Sequence, residues 1–420
     1  MGDPARPNVI RRYRTCASFS CANTTRMATV FQTTLKPILF LGQIMGLINF
    51  SYTLEPTGLL IRTSNSPYYS FLEIFRMCFL IICTYLVHVR GIYYVQQFRL
   101  IKFWVIIIFA RVSETWIIKL INGIVEYDRK HKTFSPELLL YKRSPSKTCW
   151  NIILLSFFIY FIGYETCVFF LWRPKSLDLS VIPIYLFSMP NIIDFTILIV
   201  VCFFLSNIGF RFLALNNFWR CLPVDLAPIS GEWSHSEIVI LIENIRLLHA
   251  ELSEILKIFN LGYGPLLLGY FVGSFIDLMY VFYLMIYHEF KLPNRSLTEK
   301  IIKYLPLHIF NIQIIVFIIF IVVAASWIHD MKKEIISYLR LYKISCLPFD
   351  IKIQVKMFMN QISISQLDEI TAYGFFTVNI SLVVTIIALL MTGFSTLIQL
   401  RNHPIIMELS NNTYQFHQDI

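Results

Sequence analysis

Residues 372–400, AYGFFTVNISLVVTIIALLMTGFSTLIQL, decide the fold because they form an apolar run long enough to cross the roughly 30 Å hydrocarbon core of a bilayer. The run also holds small and polar residues where a helix in lipid favours Leu and Ile: Thr377, Asn379, Ser381, Thr385, Thr392, Gly393, Ser395, Thr396 and Gln399. Hydrogen-bonding groups at membrane depth are costly unless they meet protein or water. The pattern predicts either a pore-lining helix or a packing helix whose hydroxyls bond their own carbonyls.

The composition of the whole chain is that of a membrane protein. Of its 420 residues 56% are hydrophobic and 15% are charged, and the mean hydropathy is +0.62, whereas about a quarter of a soluble domain is charged. The net charge of +10 does not indicate nucleic acid, because surplus Lys and Arg in membrane proteins concentrate in cytoplasmic loops. We predict an all-α polytopic membrane protein with the lipid bilayer, and no nucleic acid, as a partner.

Neither cysteines nor ionisable residues suggest a metal or catalytic centre. The nine cysteines form no Cys-x-x-Cys pair, which argues against a metal site and against a disulfide framework. The ionisable residues within the apolar runs have no zinc, paired-aspartate or serine-hydrolase spacing. We expect no cofactor, no metal and no enzymatic activity.

Eight apolar runs are candidate membrane spans: 37–53, 69–89, 103–125, 150–172, 181–205, 266–287, 302–328 and 375–400. The positive-inside rule places the Arg-rich N-terminus and two basic loops, 127–148 and 329–356, in the cytoplasm. Four runs separate the two loops, but three precede the first loop, so one of those three does not cross. The weakest is 37–53, which is short and contains Pro37, and we predict that it is an interfacial or re-entrant helix.

The remaining runs predict seven transmembrane helices, with the N-terminus cytoplasmic and the C-terminus extracellular. The predicted regions are an N-terminal part with the membrane-associated helix (1–68), a bundle of six spans (69–328) with cytoplasmic extensions (126–148 and 214–262), and a last part (329–420) with a cytoplasmic anchor segment, a pore helix at about 375–400 and a short outer tail. Residues 217–259 have an amphipathic helical pattern whose apolar face needs a partner, for which another subunit is one possibility. Glycosylation sequons at Asn294 and Asn411 fall on the predicted outer side.

Two other classes of membrane protein compete for seven spans. A G-protein-coupled receptor normally has its N-terminus outside, and this chain lacks an Asp-Arg-Tyr-like triplet after its third span. A carrier would use ionisable groups at membrane depth, for which the chain offers Arg111, Glu114, Lys119, Glu165, Asp194, Asp277 and His308. For Glu114 the structural alternative is an ion pair with Arg111 or Lys119 on a neighbouring turn.

The end of the last run, 392–400 (TGFSTLIQL), resembles the signature of the insect gustatory receptor family, Thr-Tyr, five mostly apolar residues and Gln-Phe. The stretches 374–381 (GFFTVNIS) and 259–268 (FNLGYGPLLL) resemble the segments that lead into the family's seventh and fifth spans. The chain departs from the signature at Gly393 and Leu400. It also has Phe394 where the sugar-receptor branch tends to have Glu, which argues against a sweet receptor.

The resemblance implies a tastant-gated, non-selective cation channel in the plasma membrane of sensory neurons. It implies four subunits, identical or combined with related receptors, around a pore lined by the seventh helices. By motif position, Gln399 and Leu400 would form rings at the outer constriction, where a Leu ring closes a narrow pore by dewetting. Thr396 and Thr392 lie one and two turns below Leu400 on the same face.

The resemblance also places a small-molecule pocket among the outer halves of the second to sixth spans. Aromatic and polar residues in those runs are the candidate lining: Tyr160, Tyr164, Glu165, Asn191, Asp194, Tyr270, Asp277, Tyr280, His308 and Asn311. For each residue the alternative is an interhelical hydrogen bond or an interface aromatic. Acids outnumber bases in the set, which favours a polar or weakly basic ligand.

Overall fold

A computed structural model describes residues 24–48, 51–55, 58–62, 67–89, 94–134, 147–171, 190–220, 222, 234–291, 297–341, 347–365 and 369–400. These residues form nine helices and one short hairpin. In chain order the helices are α1 (Thr24–Ile44), α2 (Pro67–Val89), α3 (Tyr94–Phe134), α4 (Lys147–Leu171), α5 (Pro190–Arg220), α6 (His235–Lys291), α7 (Leu297–Leu341), α8 (Phe349–Ser365) and α9 (Ile380–Leu400).

Four of these helices contain segments that are long and apolar enough to cross a bilayer. The segments are Thr148–Val168 in α4, Ile192–Arg220 in α5, His235–Tyr283 in α6 and Leu305–Arg340 in α7. A shorter apolar segment, Ile380–Thr396, makes up most of α9. The helical, multi-pass class predicted from the sequence is confirmed, while the count of seven spans and the orientation of the termini stay predictions.

The N-terminal helix differs from the predicted helix at 37–53. It begins at Thr24 and ends at Ile44 with Pro37 inside it, and its residues Leu35 and Ile38 are buried in the bundle. Two strands follow, β1 (Tyr52–Leu54) and β2 (Leu60–Arg62), which pair antiparallel. The strands were not expected in an all-α chain.

A side chain of α3 docks this hairpin on the bundle. Asn122 accepts a hydrogen bond from the Leu60 backbone N–H at 2.7 Å and donates one to the Leu60 carbonyl at 3.0 Å. One amide thus satisfies both backbone groups of a strand residue that would otherwise be unpaired at that edge.

The longest helix, α6, has 57 residues and is therefore about 86 Å long at 1.5 Å per residue. A bilayer with its headgroups is about 40–45 Å thick, so α6 extends well beyond it. The helix begins with a capping box, since the Ser234 N–H donates to Glu237 Oε2 at 2.7 Å and the Glu237 N–H donates to Ser234 Oγ at 3.3 Å. These contacts fix where the extension starts.

The apolar face of the α6 extension is covered by the same chain. Ile238, Ile242, Leu252 and Leu256 are all buried, and α6 packs there against α3, α5 and α8. A neighbouring subunit, one of the possibilities raised by the sequence, is therefore not needed to bury this face.

The helix α4 has the opposite character. Apolar side chains along it are exposed, among them Ile152, Leu155, Ile162 and Phe170. An apolar helix with exposed aliphatic and aromatic side chains is suited to lipid. The core of the bundle lies instead along α3, α5, α6 and α7, with α5 the most enclosed of the apolar segments.

Candidate functional site

The last helix begins five residues later than the predicted start at 375. Residues 371–377 form a tight turn in which Thr371 and Thr377 pair as an isolated bridge, and Tyr373 and Gly374 adopt left-handed backbone angles. Asn379 then caps α9 by accepting a hydrogen bond from the Leu382 N–H at 3.2 Å. The polar residues at the start of the run thus build a turn and a cap.

Two residues of α6 hold this turn. The Asn260 side chain donates to the Glu369 carbonyl at 2.7 Å and accepts from the Thr371 N–H at 3.3 Å. Gly264 allows a close approach, because a Cβ there would lie 2.9 Å from the backbone nitrogen of Tyr373. The stretch 259–268 was noted in the sequence for its resemblance to the family. In the structure it positions the start of α9.

One face of α9 packs on the bundle and another carries a line of polar groups. The packed face holds Leu382, Val383, Ile386, Leu390, Gly393 and Phe394. At 100° per residue the opposite side carries exposed Ser381, Thr385, Thr392, Thr396 and Gln399. We call these five residues the polar stripe. It holds three of the four residues predicted for the pore, and the side chain of the fourth, Leu400, lies outside the described residues.

The hydroxyls of α9 bond to the helix itself. Thr385, Thr392, Ser395 and Thr396 each donate to the carbonyl four residues earlier, at 2.9–3.0 Å. Such a bond satisfies the hydroxyl hydrogen and leaves the oxygen able to accept from water. The back-bonding considered as the alternative to a pore is therefore present, and it is compatible with a wet face.

The packed face of α9 meets α6 at a glycine. A Cβ added to Gly393 would lie 2.5 Å from Met279 Cε, so the lack of a side chain at Gly393 leaves room for the end of the Met279 side chain. Three residues after Met279 on α6 and one residue after Gly393 on α9, the rings of Phe282 and Phe394 meet edge-on with their centroids 6.1 Å apart. Gly393, which departs from the family signature, thus serves a close contact between α6 and α9.

Two predicted ligand-binding acids meet at a lysine that the sequence did not single out. Lys102 Nζ of α3 lies 2.8 Å from Asp194 Oδ2 of α5 and 3.0 Å from Asp277 Oδ2 of α6. All three side chains are at least nine-tenths buried. We call these three residues the Lys102 triad. It joins three helices of the core by two charge-assisted hydrogen bonds.

Residues on the same face of α6 shape the space for Lys102. A Cβ at Gly273 would lie 2.7 Å from the Lys102 side chain, so the lysine crosses α6 over this glycine. The ring of Tyr270, another predicted ligand residue, is fully buried with its centroid 5.5 Å from Lys102 Nζ. Tyr270, Asp194 and Asp277 therefore lie together around an internal cation, and their role in binding a ligand stays a prediction.

The ion pair predicted within α3 is replaced by pairs to other elements. Glu114 lies 3.0 Å from Arg62 of β2, and Arg111 contacts Glu73 of α2. Glu73 also contacts Arg76 on its own helix. Lys119 instead lies over the Trp116 ring, 4.4 Å from its centroid. The alternative offered for Glu114, a pair with Arg111 or Lys119, thus gives way to a salt bridge with Arg62 of the hairpin, although the Glu114 charge still acts on Arg111.

A second group of predicted ligand residues lies on α4. Tyr160 and Tyr164 stack with ring centroids 6.4 Å apart, and the Tyr160 hydroxyl donates to Gln313 Oε1 of α7 at 3.0 Å. Tyr160 remains partly exposed whereas Gln313 is buried. These contacts tie α4 to α7 by an aromatic residue and a polar residue that face each other.

The remaining predicted site residues are dispersed. Asn311 is buried on α7 while His308, one turn earlier, is exposed. Glu165 and Tyr280 are half-buried on α4 and α6. The side chain of Asn191 and the predicted glycosylation sites Asn294 and Asn411 lie outside the described residues.

Sequence reasoning missed Lys102 and Gln313. Lys102 lies one residue before the predicted span 103–125, so it was not among the ionisable residues considered at membrane depth. A usable signal was present, since Asp194 and Asp277 are acids within apolar runs and a buried carboxylate needs a counter-charge. The sequence alone does not say which lysine or arginine supplies it.

A separate polar region lies near the C-terminal ends of α3 and α5. Arg211 of α5 binds Asp128 of α3 through two bonds of 2.8 and 2.5 Å. His249 of α6 is buried between the rings of Phe212 and Phe358. Burial, with the Lys332 charge as a smaller cause, lowers the pKa of His249 from 6.5 to about 3, so its imidazole is neutral in the fold at neutral pH.

These features define a multi-pass helical membrane protein whose last helix presents a polar stripe. The chain matches the family described as 7tm Chemosensory receptor over residues 35–401, and it belongs to that family. The resemblance noted at the end of the last run is thereby confirmed at the level of the insect gustatory and odorant receptor family, which is not a class of enzymes.

Among solved structures, the chain is similar in fold to the insect olfactory receptor OR5 from Machilis hrabei. The TM-score is 0.58 at 14% sequence identity, over 90% of this chain and 100% of that chain. At this identity the similarity concerns the fold. The comparison with curated proteins gives no match.

Proposed function

We propose that this chain is a gustatory receptor that acts as a tastant-gated, non-selective cation channel, with four subunits around a pore lined by α9. The observation that carries the proposal is the polar stripe on the exposed side of that helix. Members of the family are ligand-gated cation channels that act in multimeric complexes with small-molecule ligands. The stripe supplies the water-facing surface that such a channel needs.

The other exposed residues of α9 support an assembly. Between the packed face and the polar stripe lie Val384, Ile387, Met391 and Ile398, all exposed and apolar. The rest of the same chain covers about a third of the circumference of α9. These four residues, the apolar strip, are therefore available to contact lipid or a neighbouring copy. Arranged about an axis, four such helices turn their polar stripes to the centre and their apolar strips to each other.

The gate in this proposal lies at Gln399 and Leu400, near the outer end of α9. Four Leu400 side chains close the pore to hydrated ions when the helices approach, and Gln399 amides offer oxygens to cations when the helices separate. Thr396 and Thr392 line the passage below.

The tastant is a small molecule that binds among α4, α5, α6 and α7. Tyr160 is an exposed member of the candidate set, and with Gln313 of α7 it forms an aromatic and polar contact of the kind small ligands use. The Lys102 triad lies deeper and has its charges already engaged. We expect a polar or weakly basic tastant, and activation by acids alone would contradict this expectation.

The proposed receptor works in the plasma membrane of sensory neurons, with a cytoplasmic N-terminus and an extracellular C-terminus. Asn294 and Asn411 are then available for glycosylation. The subunits are identical or are combined with related receptors.

The test is to express the chain in cells without added G-protein partners and to record whole-cell current during application of a tastant panel. A cation current that begins without second-messenger delay and persists in excised patches supports the channel. A response that is lost on excision, or that needs a G protein, would assign the chain to metabotropic receptors. Substrate uptake without ionic current would assign it to carriers.

A further inference from the structure

Within a single turn, α6 makes contacts on two opposite sides. On one side of α6, Asp277 lies 3.0 Å from Lys102 Nζ. On the other side, the end of the Met279 side chain lies against Gly393 of α9. Residues two positions apart in an α-helix, such as Asp277 and Met279, point in directions about 200° apart and differ by about 3 Å along the helix axis. The Lys102 triad and the α9 contact therefore lie across α6 from each other.

The helix between them is unbroken at this level. α6 runs to Lys291, and its internal proline, Pro265, lies a full three turns before Asp277. A continuous helical segment moves as a unit on the scale of one turn, because its backbone hydrogen bonds hold its length and direction. A shift of α6 at Asp277 is consequently also a shift of Met279 against α9.

The triad is a strong restraint on α6. Its side chains are nearly excluded from solvent, so their attraction is little screened. Removing the ammonium would leave two carboxylates close together in the core, where like charges repel and their desolvation is uncompensated. Asp194 belongs to α5 and Asp277 to α6, so this repulsion acts to separate the two helices.

We propose that Lys102 is a gating residue, whose two salt bridges fix α6 against α3 and α5 and thereby hold α9 in its resting position through Met279 and Gly393. This inference rests on the proposed channel function. Lys102 acts through α6 and does not touch the permeating ion, so it is a positioning residue. A resting channel conducts few ions. Loss of the restraint on α9 should therefore raise cation flux in the absence of tastant.

The test uses rubidium ion uptake into proteoliposomes with equal amounts of purified, folded protein and no added tastant. We expect Lys102→Met and Asp277→Asn each to raise uptake at least threefold over the original protein. Asp277→Asn keeps the Lys102–Asp194 pair, so it decides the question if Lys102→Met does not fold. Lys119→Met, which removes an exposed lysine of the same helix, is expected to leave uptake unchanged.

A variant of the contact with α9 separates gating from general disruption. When Met279→Ala is present, adding Lys102→Met should raise uptake no further, because the contact that transmits the change is already lost. A protein that merely leaks would show the added rise in both backgrounds, and that result would overturn the proposal.

Leu400→Ala serves as the positive control for the pore. If Leu400→Ala raises uptake while Lys102→Met and Asp277→Asn stay below threefold, the role of Lys102 is wrong and the channel stands. If no variant, including Leu400→Ala, raises uptake and no tastant evokes current, the channel proposal fails and the role of Lys102 fails with it.

Discussion

Gly264 of α6 lies against the backbone of Tyr373, in the turn that leads into α9, so closely that a Cβ at Gly264 would come within 2.9 Å of the Tyr373 nitrogen. A backbone neighbour cannot rotate away as a side chain can. Gly264→Ala must therefore displace the turn, and overpacking of this kind typically costs about 1–3 kcal/mol. We expect a lower thermal unfolding temperature for the detergent-solubilised protein and weaker tastant-evoked current per molecule at the surface.

Gly163→Ala is the matched control for this prediction, since a Cβ at Gly163 meets no atom within 4 Å. It should unfold at or slightly above the original temperature, because Ala favours a helix over Gly. Equal unfolding temperatures for the two variants would contradict the close contact at Tyr373.

Gly393 and Met279 make a contact that a side chain can relieve. A Cβ at Gly393 meets the flexible end of Met279, so Gly393→Ala should be tolerated with a small change in gating. Gly393→Tyr, which restores the residue of the family signature, should displace α9 and shift the tastant concentration for half-maximal current severalfold. Adding Met279→Ala should return much of the shift, and a shift of equal size with and without Met279→Ala would exclude this contact as the cause.

His249 predicts a dependence of stability on acid. Its pKa in the fold is about 3 against an ordinary value of about 6.5, so the unfolded chain takes up the proton first. The contribution to stability is full above pH 6.5 and is lost as the pH falls toward 3, by up to about 1.4 kcal/mol per pH unit. His249→Phe should flatten the fall in unfolding temperature between pH 7 and pH 5.

The control for His249→Phe is Ile240→Phe, which changes an exposed residue of the same helix and no titratable group. This variant should keep the original acid dependence. An unchanged slope in His249→Phe would mean that the buried imidazole does not contribute.

Leu400 carries a prediction about the gate. Leu400→Ala should raise ligand-independent cation current, because a smaller ring no longer excludes water from the constriction. Ile398→Ala is the comparison, since Ile398 lies on the apolar strip of the same turn. A baseline that is the same for Leu400→Ala as for the original protein would place the gate elsewhere.

The sequence predicted much of the helical framework for a simple physical reason. Long apolar runs such as 302–328 and the described part of 150–172 are helical because backbone groups in a bilayer must bond within their own segment. The amphipathic pattern at 217–259 was equally informative, and its apolar face is buried. The polar residues of α9 indicated a helix with a wet face, and Thr392, Thr396 and Gln399 do lie together on an exposed side.

What the sequence could not supply are contacts between residues far apart in the chain. The partners of Lys102 lie 92 and 175 residues away, and no local pattern selects it over other basic residues. The hairpin at 52–62 was missed because its docking depends on Asn122, a residue that reads as an ordinary polar position in α3. The start of α9 was placed too early because Phe375 and Phe376 look like part of the apolar run, although they belong to the turn that precedes the helix.

A pore lined by α9 is tested most directly by single-channel recording of purified Gln399→Cys in planar bilayers, with a positively charged, impermeant thiol reagent applied from the predicted outer side. If α9 lines the pore, tastant should open unitary cation currents, and the reagent should reduce their amplitude while leaving a Leu390→Cys variant, on the packed face of α9, unchanged. The original protein with its native cysteines gives the background. Unitary currents that Gln399→Cys modification does not alter, or tastant responses without any unitary current, would contradict a pore lined by α9.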